Sequence, residues 1–168
     1  MTISMYQASV PVIQKSLTAL KAVLAKGAAH AAEKKIDESV FLGSRLYPDM
    51  FPLLKQVQIA ADFGKGPVAR LSGSEPPKYD DVETTFADLA ARIDKTLAFV
   101  GGFTPAQIDG SEDREIVLTI GGKPVTVKGQ QYLLHMAFPN LFFHMSMSYA
   151  ILRHNGVDIG KRDFIGGY

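Results

Sequence analysis

The sequence predicts an all-α fold built on four long helices, with one small β-hairpin between the third and the fourth. Three observations carry this expectation. Apolar residues recur at steps of three and four in four long segments, the signature of amphipathic helices. The period falls from 3.6 to 2 only once, around Gly121-Gly122. Hydrophobic residues make up 46% and charged residues 21% of 168 positions, which suits one ordinary domain, residues 1–168, with a core of its own.

The first helix is expected from about Ser4 to Lys26, with Met5, Val12, Ile13, Leu17, Leu20, Val23 and Leu24 on its apolar side. Pro11 kinks or starts its regular part. Gly27 ends it, or the Ala28–Lys35 run adds a short further helix. The second is expected from about Tyr47 to Arg70, with Pro48 in its first turn, where a missing donor costs nothing. Gly64-Lys65-Gly66-Pro67 predicts a break in its second half. The third follows an N-cap at Asp80 or Asp81 and carries Val82, Phe86, Leu89, Ile93, Leu97 and Val100 before Gly101-Gly102 stops it. Glu115–Ile120 and Pro124–Val127 then alternate about Gly121-Gly122-Lys123, a hairpin that must pack on helices to be stable. The fourth helix is expected from about Gln130 to Asn155, ending in a left-handed cap at Asn155-Gly156 with Val157 closing it.

Composition excludes several function classes. Eighteen Lys and Arg against seventeen Asp and Glu leave a net charge of +1, which gives no electrostatic reason to expect nucleic acid or an anionic membrane. The absence of cysteine removes disulfides, thiolate metal sites and thiol nucleophiles. The first residues, Met1 to Gln7, lack a basic stretch followed by an apolar one, so a cytoplasmic protein is expected. Residues 129–152 carry no Asp, Glu, Lys or Arg, yet Gln130, Gln131, His135, Asn140, His144, Ser146, Ser148 and Pro139 make them a poor lipid span. Ser146 and Ser148 have no acidic neighbour and no triad is legible. Gly64-x-Gly66 and Gly101-Gly102 lack the strand-to-helix setting of a phosphate loop and read as turns.

The fourth helix is apolar nearly all round. Leu134, Phe138, Leu141, Met145, Tyr149 and Leu152 form one stripe, and Phe143, Met147, Ala150 and Ile151 lie elsewhere on the circumference. Such a helix must be covered twice. A second copy of the chain is the expected cover, giving a homodimer, unless the first helix, the hairpin and the C-terminal tail supply it. Four residues apart on this helix, Asn140 and His144 project together. His135 and His154 fall off that face and read as surface residues, His154 favouring the helix C-terminus; His30 reads as solvated.

Several motifs resemble the DinB/YfiT-like superfamily, in an uncharacterised branch that is a domain of unknown function. They are Arg45-Leu46-Tyr47-Pro48-Asp49-Met50, Gln56-Val57-Gln58, Arg70-Leu71-Ser72-Gly73, Pro139-Asn140-Leu141-Phe142-Phe143-His144, Tyr149-Ala150-Ile151-Leu152-Arg153 and Gly156 to Phe164. The resemblance spans essentially the whole chain. It implies an up-down-down-up left-handed bundle, usually dimeric. It also implies a divalent metal on three histidines, one from helix two and a His-x-x-x-His pair from helix four, in members some of which are thiol-cofactor-dependent transferases, isomerases or hydrolases. This chain keeps the second histidine of the pair as His144, but has Asn140 for the first. Helix two has no histidine; by register its ligand position falls near Gln56, with Asp49 one heptad earlier.

Two function classes follow. In the first, the chain is a cytoplasmic, dimeric bundle that binds an unidentified small molecule or serves as an interaction module. Its metal site is degenerate, and His144, Asn140 and a helix-two residue form a buried hydrogen-bond network. In the second, His144, Asn140, Asp49 and Gln56 hold zinc or nickel as N,O ligands, and the chain is a divalent-metal-dependent transferase or hydrolase. Arg45, Tyr47 and Arg153, with Lys161-Arg162-Asp163, either pin the ends of elements or line a pocket mouth for an anionic ligand.

Overall fold

The computed structural model describes residues 3–167; Met1 and Thr2, part of the stretch read for a leader, and Tyr168 lie outside the described residues. The chain is mostly helical with one two-stranded antiparallel sheet.

Helix α1 (Met5–Lys34) starts where the Ser4 side chain accepts from the Gln7 amide and ends at Lys35 in the left-handed region. It does not stop at Gly27: the Ala28–Lys35 run is helical as far as Lys34, but as an unbroken continuation of α1 and not as a separate short helix. That glycine is a point of close approach: a Cβ there would stand 3.0 Å from Leu152 and 3.2 Å from Phe86. Pro11 lies on the exposed side, where the carbonyl it leaves unpaired meets water, and the helix runs through it. The short α2 (Glu38–Gly43), absent from the sequence reading, follows an Asp37 cap and buries Phe41 and Leu42.

Helix α3 (Leu53–Ser72) begins six residues after Tyr47, not at it. A helix from Tyr47 would place Pro52 in its interior, without a donor and against the carbonyl of Pro48, so residues 47–50 turn instead, the Met50 amide bonding the Tyr47 carbonyl at 3.0 Å. The expected break at Gly64–Pro67 is absent. All four residues are buried within an unbroken helix, and a Cβ on Gly64 would lie 2.7 Å from Leu17 of α1. The pair Gly64 and Gly66 is thus no turn; at Gly64 it lets two helices meet.

Helix α4 (Phe86–Gly101) is capped by Thr85, not by Asp80 or Asp81. Thr85 and Asp88 form a capping box, and Val82 is 75% exposed outside the helix. A one-turn α5 (Pro105–Ile108) precedes strands β1 (Glu115–Ile120) and β2 (Lys123–Lys128). Gly121 and Gly122 have φ of 57° and 78°, the positive values a two-residue hairpin needs. Ile116 is the hairpin's buried anchor.

The last long helix has three parts: α6 (Gly129–Tyr132), a π turn over Leu133–Ala137, and α7 (Phe138–His154). Pro139 supplies no amide to the turn before it, and the Phe138 amide bonds the Leu133 carbonyl five residues back. The extra residue rotates everything upstream. Leu133 rather than the expected Leu134 is therefore buried, in line with Ala137, Leu141 and Met145, while Leu134 is 44% exposed. The cap forms as read: Gly156 has φ of 90° and the Val157 amide reaches the Leu152 carbonyl at 3.1 Å. A short α8 (Lys161–Ile165) then lies on α1 through Lys26–Asp163 at 2.7 Å.

The core joins α3 to α7 and α1 to α4 most extensively, with α3–α4 and α1–α3 closing it. No helix among the described residues is long and apolar enough to cross a membrane.

Candidate functional site

The α3–α7 seam carries the histidine singled out by the sequence. Gln56 and Phe63, seven residues apart, share one face of α3, and His144 of α7 sits between them, 8% exposed. Its Nδ1 lies 2.7 Å from Gln56 Oε1. The Gln56 Nε2 donates to the Phe51 carbonyl at 3.1 Å, which turns the amide oxygen toward the ring. An amide oxygen only accepts, so Nδ1 carries the proton and the lone pair of the neutral ring sits on Nε2. Burial holds the His144 pKa below its ordinary 6.5, which favours that neutral form. Phe63 stacks on the imidazole at 6.2 Å and Phe143 meets it edge-on at 5.2 Å. Among the described residues Nε2 has no hydrogen-bond partner, and it is not among the buried unpaired atoms.

The other expected site residues do not join it. Asn140 turns back along its own helix and donates to the Met136 carbonyl at 2.7 Å, the nearest acceptor a short amide finds one turn away. Asp49 is exposed in the turn before α3; the heptad relation to Gln56 fails because the helix does not reach it. Arg45 pins that turn by donating to the Pro48 and Met50 carbonyls, both at 3.2 Å. Tyr47 is 67% exposed, and Arg153 is exposed in the last turn of α7. Ser148 donates to the carbonyl of His144. His135 and His154 are exposed. His30 is not solvated as expected but half-buried, edge-on to Phe41 at 5.8 Å.

Among the described residues no three His, Cys, Asp or Glu side chains converge as metal ligands. One imidazole nitrogen remains, since the Gln56 oxygen is engaged by Nδ1. This donor set does not fit the three-histidine centre that the resemblance implies.

A family model described as a domain of unknown function, DUF1993, matches residues 5–165. The chain belongs to this family. The DUF1993 chain also resembles a solved structure, the crystal structure of a DinB family member protein from Shewanella denitrificans. The two are 41% identical, with a TM-score of 0.88 over 97% of this chain and 92% of the other. No curated protein sequence matches it.

The sequence reading missed a second polar centre. Arg92 of α4 and Lys65 of α3 are both buried, and the Tyr79 ring lies against them. Arg92 replaces an apolar residue within the Phe86–Val100 stripe, next to Ile93. That was the available signal, because a cation in such a position needs buried anions.

Proposed function

We propose that the chain is a cytoplasmic, homodimeric four-helix bundle of up-down-down-up topology that binds a small molecule through His144, its ancestral metal site having degenerated. One observation carries this reading: Gln56 holds Nδ1 of the imidazole at 2.7 Å, which leaves Nε2 to accept, and Phe63 and Phe143 flank the ring. A site of that kind takes a flat ligand with one hydrogen-bond donor. The dimer is supported by Leu134, Phe142 and Phe143, which are 44%, 39% and 52% exposed on a helix whose opposite side is core.

Protein purified without chelator or affinity tag provides the test. Metal analysis is expected to find zinc and nickel far below one ion per chain. A library of planar donor fragments, followed through the His144 nitrogen resonances, is expected to yield ligands that shift Nε2. A stoichiometric, tightly held ion would overturn the reading in favour of a metal-dependent transferase or hydrolase.

A further inference from the structure

The segment 74–85 joins α3 to α4, and among the described residues no backbone–backbone hydrogen bond involves residues 75–84. Side chains hold this strap instead. Arg92, its side chain 2% exposed, pairs with Asp81 at 3.0 Å and Glu83 at 2.9 Å and donates to the Asp80 carbonyl at 3.1 Å. From α3, Lys55 meets Asp81 at 2.6 Å and Gln58 donates to Glu83 at 2.8 Å. The strap's Tyr79 ring lies 4.1 Å from the Lys95 ammonium, 4.9 Å from that of Lys65 and 5.6 Å from the Arg92 guanidinium. Between strap and α4 is a cleft of about 570 Å³ lined by Tyr79, Glu83, Arg92 and Lys95.

Charge is unequally divided across this contact. The helices bring four cations, Lys55, Lys65, Arg92 and Lys95, against two carboxylates of their own at this contact among the described residues: Asp62, which pairs with Lys65 and Arg92, and Asp88, which lines the cleft but is engaged in capping α4. The strap brings Asp81 and Glu83, with Asp80 alongside. Closing a loop does not call for buried cations, since apolar contacts of similar volume are as stabilising or more so. Independently, Arg92 Nε is buried without a hydrogen-bond partner. Its neighbour Nη2 meets the strap through Asp81, so an oxyanion that displaced Asp81 would find two guanidinium donors, Nε and Nη2, to grip it.

We propose that the α3–α4 face around Arg92 binds a multivalent oxyanion, and that the acidic strap residues Asp80–Glu83 occupy it as an internal competitor. The site is separate from His144 and stands without the reading given for it.

Inorganic tripolyphosphate at fixed ionic strength is the probe. The double variant Asp81→Asn/Glu83→Gln unmasks the cations while leaving Gln58 a partner. By calorimetry it is expected to bind the probe at least tenfold more tightly than the wild-type chain. Adding Arg92→Gln is expected to remove that gain. A folded double variant with unchanged affinity, or a gain that survives Arg92→Gln, would overturn the proposal and leave the strap a structural clasp. If the double variant does not fold, the wild-type chain decides. The Lys95 ε-methylene protons, shifted upfield by the Tyr79 ring, are expected to move toward free-lysine values as tripolyphosphate displaces the strap. No movement at millimolar probe sinks the proposal.

Discussion

His144 and Gln56 share one hydrogen bond of 2.7 Å, and both ends of it are fixed: the other atom of the Gln56 amide is bonded to the Phe51 carbonyl, and the imidazole is clasped by Phe63 and Phe143. The pair therefore sets the tautomer of the ring as well as its position. Replacing Gln56 by Leu roughly keeps the volume, strands the buried Nδ1–H of His144 and takes the side-chain donor away from the Phe51 carbonyl. A loss of about 1–3 kcal/mol is expected in urea unfolding. Gln56→Glu should instead raise the His144 pKa, because a carboxylate at that distance favours the imidazolium; an NMR titration reads this directly.

Stability should also follow pH through His144. Its folded-state pKa lies below the ordinary 6.5 because burial disfavours the charged ring, so at pH values just under 6.5 the unfolded chain binds more protons than the folded one. The contribution is complete above 6.5 and is lost as pH falls from there toward the folded value. Urea midpoints between pH 7.5 and 5 should drop more for the wild-type chain than for His144→Gln, which has no titrating ring at that place. Equal drops would assign the pH dependence elsewhere.

Much of this was legible in the sequence for physical reasons. Gly121-Gly122 and Asn155-Gly156-Val157 announce structures that only particular backbone angles allow, and both formed where read. Gln56 was placed near His144 by the register of the superfamily that the chain resembles, and the two meet, while Asn140, expected to join them, does not. Illegible were the features that depend on tertiary contact. Gly27 and Gly64 look like breakers but serve close approach of helices, information held in Leu152, Phe86 and Leu17 far along the chain. The π turn before Pro139 shifts the register by one residue, which no fixed period of 3.6 can register. Asp49 was assigned a helical face that Pro52 denies it.

The close approaches give a graded expectation. A Cβ on Gly129 would collide with the backbone carbonyl of Ser111, which cannot swing aside, whereas one on Gly64 meets the tip of the buried Leu17 side chain at 2.7 Å. Gly64→Ala should cost about 1–3 kcal/mol, as overpacked cores do. Gly129→Ala should cost more than Gly64→Ala in the same denaturant assay. The reverse order would mean that the loop at Ser111 yields more easily than the α1–α3 contact.

Thr85 rather than Asp80 or Asp81 starts α4, which separates two roles that the sequence had merged. Thr85→Ala removes the side chain that accepts from the Asp88 amide at 3.1 Å and should cost about 1 kcal/mol, in the range for lost caps. Asp80→Ala should leave stability within about 0.5 kcal/mol, since only its backbone carbonyl is engaged, by Arg92. Thermal or urea melts of the two variants side by side check the assignment.

The exposed side of α7 gives the last expectation. Phe143 is 52% exposed although its edge rests on His144, and Phe142 and Leu134 extend the apolar strip along the same helix. Burying that strip against a second copy removes aromatic surface from water on both chains at once, at about 25 cal/mol for each Å². Light scattering coupled to size exclusion should therefore return twice the chain mass for the wild-type protein. Phe143→Asp should return one chain mass at the same concentration, because two carboxylates would face an apolar interface without partners. The side chain leaves the core intact, so circular dichroism should be unchanged. A wild-type chain that remains monomeric at high micromolar concentration would show that the strip serves something other than self-association.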